Sequence, residues 1–234
     1  MDRRQFNSLS ILACALPAAL VGRAAQALTL DQLSSADASK GLKAALGKGA
    51  EAAVGLLGAK DGFLGNAQVR IPLPGYLNDA AQLLRTLGQG AQVDELLTAM
   101  NRAAEAAVPK AKPLLLKAVQ DMSVTDAKGI LAGGNTAVTD FFASKTRPAL
   151  AQQFLPVVNQ ATAQVGLADK YNALAGKAAS MGLVKAEDAN IQQYVTGKAL
   201  DGLYFMISEE EKKIRQNPMA YGSAILGKVF GALQ

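Results

Sequence analysis

"KALDGLYFMISEEEKKIRQNP", residues 198–218, decides the fold. An almost continuous apolar run, Ala199 to Ile207, passes straight into three glutamates, two lysines and an arginine. On a helix, Leu200, Leu203, Ile207 and Ile214 share one face, while Tyr204, Phe205 and Met206 cover other sides. A helix that is apolar all round belongs in the middle of a protein, surrounded by others. The pattern therefore predicts a central helix over about residues 190–215.

The glutamates at its end separate by geometry. Glu209 with Lys213, and Glu211 with Arg215, stand at i,i+4 in the favourable order. That reads as a solvated, charge-paired face. Glu210 differs: its neighbours one turn away are Ile207 and Ile214, so it lies on the apolar stripe. Asp201 is the only charge between Ala199 and Ile207. At about 100° per residue these two acids fall half a turn out of phase and cannot form a catalytic pair on this helix. Either one, if buried, needs a partner from another element. Arg102 is the candidate, because Asn101, Arg102 and Glu105 gather polar groups beside an apolar stripe. The candidate polar site is thus Glu210, Asp201, Arg102, Asn101 and Glu105, read either as buried structural pairing or as a functional site.

Outward from this helix the pattern stays helical. Leu42, Ala45, Leu46, Gly49, Ala53, Leu56 and Leu57 follow helical spacing after Asp37, a plausible N-cap. Glycines 41, 47, 49 and 55 lie inside that helix, and close approach of a neighbour is the usual compensation. A second helix spans about Gly75 to Leu87. A third begins near Ala91, with Asp94 and Glu95 in its first turn, and Pro109 breaks it. Leu115, Ala118, Val119 and Met122 mark a fourth. Ser123 and Asp126 have capping-box spacing for a fifth, which stops at Gly133-Gly134. Asn135 or Thr136 caps the next. Pro148 reads as the first turn of a further helix that Pro156 kinks. Tyr171, Leu174 and Ala178 mark a short one.

One segment breaks the pattern: "DGFLGNAQVRIPLPGYL", residues 61–77. Val69, Ile71 and Leu73 alternate with Pro72 and Pro74 between them, which forces extended geometry. This is a lone edge strand or an apolar strap across a bundle, read first as a connector whose apolar side plugs the core and otherwise as a functional loop, with Phe63, Val69, Arg70, Ile71 and Leu73 as its candidate residues.

Composition narrows the chemistry. Aromatic residues are 5% of the chain and Trp is absent, so strands are disfavoured and the Ala/Leu-rich remainder favours helix. There is no histidine, and Cys14 is the only cysteine. Cys/His zinc sites, Ser-His-Asp triads, Cys-His pairs, His-held haem and iron–sulfur clusters are therefore excluded. Carboxylate, Lys, Tyr or Ser chemistry and oxygen-only metal sites are left. No motif calls for a cofactor or a metal. No basic stripe with interleaved aromatics points to nucleic acid.

The N-terminus reads as an address. Arg3 and Arg4 precede an apolar core, Leu9 to Leu20, too short for the roughly 20 residues that span a bilayer. Ala25-Gln26-Ala27 is a small-x-small cleavage site, so residues 1–27 are expected to be removed and the mature protein to be periplasmic or secreted. "RRQF" and Arg23 fit the twin-arginine route, although Asp2 stands where a small hydroxyl residue is usual. Lipoprotein anchoring at Cys14 is a further reading, weakened by the short apolar stretch before it, which Ser10 interrupts. No later apolar run approaches spanning length.

"KDGFLGNAQVRIPLP", "MNRAAEAAVPKAK", "DAKGILAGGNTAVTDFF" and "KALDGLYFMISEEEKKIRQNP" together resemble the successive blocks of a bacterial family, domain of unknown function 4197. The resemblance covers roughly residues 30–231. It implies an exported, all-helical domain and supplies no catalytic or ligand residues.

The expectation is an all-α fold: one bundle-like domain over residues 28–234, with about eight or nine helices and the extended apolar loop at 61–77. The leading function is a non-catalytic binding or envelope-associated protein, its partner an envelope protein or an apolar small molecule, with the 61–77 segment supplying apolar contact. The alternatives are a carboxylate enzyme acting on envelope polymer, with Glu210 or Glu105 as general acid, and a carrier of apolar ligands.

Overall fold

The computed structural model describes residues 35–217, except residues 76, 89, 135–136, 164, 181 and 183–188. The expected export signal, Cys14 and the caps expected at Asn135 or Thr136 lie outside the described residues.

The fold is all-α, and no strand occurs among the described residues. Eight α-helices follow one another: α1 (Ser35–Gly58), α2 (Leu77–Thr86), α3 (Gly90–Ala107), α4 (Ala111–Gln120), α5 (Val124–Ala132), α6 (Ala137–Thr162), α7 (Gly166–Ser180) and α8 (Ile191–Gln216). A 3-10 turn, Val108–Lys110, bends the chain between α3 and α4 around Pro109. Helix α8 lies at the centre, packed chiefly on α6 and α1, and α3 packs on α6. Leu200, Leu203, Tyr204, Ile207 and Ile214 are buried along α8, as an all-round apolar helix requires. Asn190 caps α8, its Oδ1 accepting from the backbone N–H groups of Gln192 and Gln193. The expected capping box forms at Ser123 and Asp126, and its hydrogen bonds from Ser123 hold the Asp126 carboxyl below its ordinary range.

Three details depart from the sequence reading. Helix α1 starts at Ser35, two positions before the expected cap at Asp37. Asp94 and Glu95 lie beyond the first turn of α3, which begins at Gly90. Asp94 instead pairs with Arg85 at 2.5 Å and ties α2 to α3. The third departure is α6, which is one helix running through Pro148 rather than two with a start there, and it continues through Pro156. A proline inside a helix costs about 3 kcal/mol. Phe141, Phe142, Leu150, Phe154 and Val158 are buried on both sides of Pro148 and on either side of Pro156. Each such burial is worth roughly 1.5–3 kcal/mol, so packing outweighs the lost backbone bonds.

Close approach does not account for the α1 glycines. A Cβ at Gly49 would sit 3.5 Å from Ile214 Cδ1 and 3.7 Å from Glu210 Cβ, an ordinary packing distance, so α8 comes near without excluding a side chain there. At Gly55 nothing lies within 4 Å, and nothing in the structure explains that glycine.

Candidate functional site

The polar residues named on α3 meet the 61–77 segment. After α1 the chain turns at Asp61, whose φ of 66° is left-handed, and then at Gly62. A Cβ on Gly62 would stand 2.5 Å from the carbonyl oxygens of both Leu56 and Leu57, so only glycine fits. The segment then runs extended through Ile71–Pro74, without strand pairing. Phe63, Val69, Ile71 and Leu73 all point into the core. The strap therefore plugs the bundle, as expected of a connector with its apolar side on the core, and these four side chains are not offered to a partner. It exposes Gln68, Arg70 and Pro72 instead.

A strap with no strand neighbour leaves backbone N–H and C=O groups to satisfy. Helix α3 supplies the partners. Asn101 is fully buried. Its Oδ1 accepts from the Ile71 N–H at 2.8 Å, and its Nδ2 donates to the Ile71 carbonyl at 3.0 Å. One side-chain amide thus does what a neighbouring strand would do. A second bond from Nδ2 reaches the Leu97 carbonyl at 2.8 Å. Glu105, 5% exposed, accepts at Oε1 from the N–H groups of Phe63 and Leu64, both at 3.1 Å. Its Oε2 accepts from Arg102 at 2.6 Å. Arg102 also reaches Asp61 at 2.7 Å and closes the ring back to the turn. Glu105 and then Asp61 hold the Arg102 guanidinium above its ordinary value, against a smaller opposing effect of burial.

Two expected pairings are corrected. Arg102 serves Glu105 and Asp61, not Asp201 or Glu210, because α3 turns it toward the strap. Asp201 is exposed and pairs with Arg147 of α6, with Lys198 at 4.0 Å. Glu210 is buried, 4% exposed, and accepts from Lys213 at 2.6 Å. Glu209 pairs with Lys212 rather than Lys213. Glu211, read as solvated, is also buried, at 5% exposed, and lines a small apolar cavity with Leu42, Leu46, Val138, Ile207 and Ile214. Helices α1 and α6 cover that side of α8, which the sequence of α8 alone does not reveal.

The strap reaches α8 at Gly202. A Cβ there would lie 2.8 Å from the Phe63 ring and 3.4 Å from Val69 Cβ, so the missing side chain makes the seat for the strap. Tyr194 of α8 donates its hydroxyl to the Pro72 carbonyl at 3.2 Å. Beside this contact lies a cleft of about 330 Å³ between strap and α8, lined by Arg70, Tyr194, Lys198, Asp201 and Phe205 among others. On the next stripe of α8, facing α6, an open groove of about 410 Å³ is lined by Arg147, Ala151, Leu155, Thr196, Gly197 and Leu200. The Arg147–Asp201 ion pair joins the two depressions. Arg147 also stacks over the Tyr204 ring at 5.4 Å. Burial raises the Tyr204 phenol above its ordinary value, and its hydrogen bond with Thr146 partly offsets this.

The four sequence blocks that carry the resemblance supply the strap, α3, α5 with α6, and α8. A family model described as a protein of unknown function (DUF4197) matches residues 32–231. The chain belongs to this family. No curated protein and no solved structure matches it. In this DUF4197 chain, sequence reasoning missed Asp61, Gly62, Arg147 and Gly202. The Asp-Gly pair at 61–62 was a turn signal, but nothing local marks Arg147 or Gly202 as contacts of α8 and the strap. Among the described residues no group of three or more metal-ligating side chains occurs, and no helix is long and apolar enough to cross a membrane.

Proposed function

We propose that this is a non-catalytic, envelope-associated binding protein, exported with cleavage after Ala27. The observation that carries the reading is the occupation of Glu105. Both of its oxygens are engaged, one by two backbone N–H groups and one by Arg102, so it acts as a clamp for the strap. Glu210, the other candidate acid, is held by Lys213 beneath α1. Asp201 and Glu210 serve different sides of α8, which speaks against a facing carboxylate pair of the kind glycosidases use. The exposed flank of α8, with its two depressions, is left as the contact surface.

The test is twofold. Purified protein lacking residues 1–27 is expected to leave peptidoglycan and simple ester and glycoside substrates unchanged, and to co-sediment with isolated cell envelopes. Turnover that disappears in Glu210→Gln or Glu105→Gln with the fold intact overturns the reading in favour of the carboxylate enzyme. A second reading, a carrier of apolar ligands, is favoured by the open apolar groove between α6 and α8. Gly197 gives it a clean probe, since a Cβ there meets nothing within 4 Å. Gly197→Leu fills the groove without disturbing the helix, and is expected to abolish uptake of a fluorescent fatty acid if the groove is the carrier site.

A further inference from the structure

We propose that the cleft between the strap and α8 binds a small organic anion, a carboxylate or phosphate attached to a compact apolar body. This rests on the reading of the protein as a binding protein, and adds the site and the ligand class.

The charges around the cleft do not cancel. Asp201 is the acid among the cleft-lining residues, and Arg147 engages it from the α6 side. Lys198 stands 4.0 Å from Asp201, a distance at which that pairing is weak, and 5.8 Å from the centre of the Tyr194 ring. Arg70 makes no ion pair within 4 Å among the described residues; its field reaches Asp94 only as a minor influence on that carboxyl. An ammonium and a guanidinium thus line one depression, with their local acid already neutralised. Both carry hydrogen-bond donors suited to an oxyanion, and guanidinium can receive it in two-point fashion.

The same cleft offers an apolar wall. Phe205 is 37% exposed, one of few large hydrophobic side chains left in solvent. It lies one turn from Asp201 and Gly202, on the cleft side of α8. Tyr194, Val69 and Ile71 complete the floor. Gly202 fixes the depth, because the strap sits directly on its backbone. The floor is built rather than mobile: Asn101 anchors Ile71, and Tyr194 anchors Pro72. A pre-formed cleft of about 330 Å³, with two cations at its edge and an aromatic wall, fits a small amphipathic anion. Polymeric nucleic acid, which calls for an extended basic stripe, does not fit it.

The experiment is an NMR titration of the protein lacking residues 1–27 with three probes of similar shape: 4-phenylbutyrate, phenyl phosphate and the neutral 4-phenylbutanamide. Saturable shifts are expected at residues 68–72 and 194–205 with at least one anion. Carboxylate preference points to peptidic or sugar acids, and phosphate preference to phosphorylated head groups. The amide is expected to bind at least about tenfold more weakly. Arg70→Ala and Lys198→Ala are each expected to weaken the preferred anion about tenfold, as loss of one charge-assisted contact does. Both side chains are exposed, so the variants should fold, and unchanged spectra elsewhere in the protein verify it. The proposal is overturned if neither anion gives saturable shifts at the cleft, if the amide binds as well, or if both variants bind as the parent does. Such a failure leaves envelope co-sedimentation untouched, so it is distinguishable from failure of the binding reading itself.

Discussion

Asn101 shows most plainly what a single residue contributes. It satisfies both backbone groups of Ile71 in a site closed to water. Asn101→Leu strands two buried polar groups, each costing about 1–3 kcal/mol, so a loss of roughly 3 kcal/mol is expected in denaturant unfolding. Asp201→Ala, at an exposed ion pair, should cost under about 1 kcal/mol. Equal effects would mean that Asn101 does not carry the strap. A smaller contrast is expected at the end of α8: Glu210→Ala removes a buried carboxylate but leaves a partner, Lys213, that is itself exposed, whereas Glu209→Ala removes a more exposed acid. The sequence marked Glu210 because it shares a stripe with Ile207 and Ile214. It could not mark Glu211, because burial there depends on α1 and α6 covering the adjacent side. Likewise "MNRAAE" was visible as polar groups beside an apolar stripe, but their partner in the strap was not. A backbone N–H carries no side-chain signature.

At the scale of elements, helices were legible and their interruptions less so. Since a buried face must recur every turn, periodicity located the helices to within a few residues, except that α6 was read as two. Pro148 misled because its local cost is real, yet the phenylalanines and leucine around it are all buried in one continuous helix. The strap was identified by its prolines and its apolar side was read as a core plug, but its seats on α3 and α8 were not legible, because backbone groups and a glycine carry no side-chain signature. Two glycines test its seating. Gly202→Ala drives a methyl into the Phe63 ring and is expected to cost about 1–3 kcal/mol by overpacking. Gly197→Ala, one turn or so earlier with open space around it, should instead stabilise α8 by up to about 1 kcal/mol through helix propensity. Thermal melts of the two variants moving in the same direction would contradict this assignment of the strap to the backbone of α8.

For the whole molecule, the composition spoke most clearly through what it lacks: with no histidine, and Cys14 as the single cysteine, triads and pairs built on histidine are excluded. Export itself is tested by sequencing the N-terminus of the secreted form, expected to begin at Leu28; Lys in place of both Arg3 and Arg4 should block twin-arginine export. Stability should fall at both pH extremes. Asp94, lowered chiefly by its hydrogen bond with Arg85, and Asp126, lowered by Ser123, add stability above the ordinary carboxylate range that is lost as pH falls through their folded values. Tyr204 works in the opposite sense: its raised value adds stability below about pH 10, lost as the phenol ionises. Absorbance near 295 nm, undisturbed by Trp, should show a late-titrating tyrosine that vanishes in Tyr204→Phe. Helix α3 clamps the strap with Asn101 and Glu105. Native-state hydrogen exchange reads that clamp amide by amide. The amides of Phe63, Leu64 and Ile71 should be protected as strongly as those in the middle of α3, and Asn101→Leu should release Ile71 first. Exchange of these three amides at the rate of exposed turns, in the unaltered protein, would contradict it.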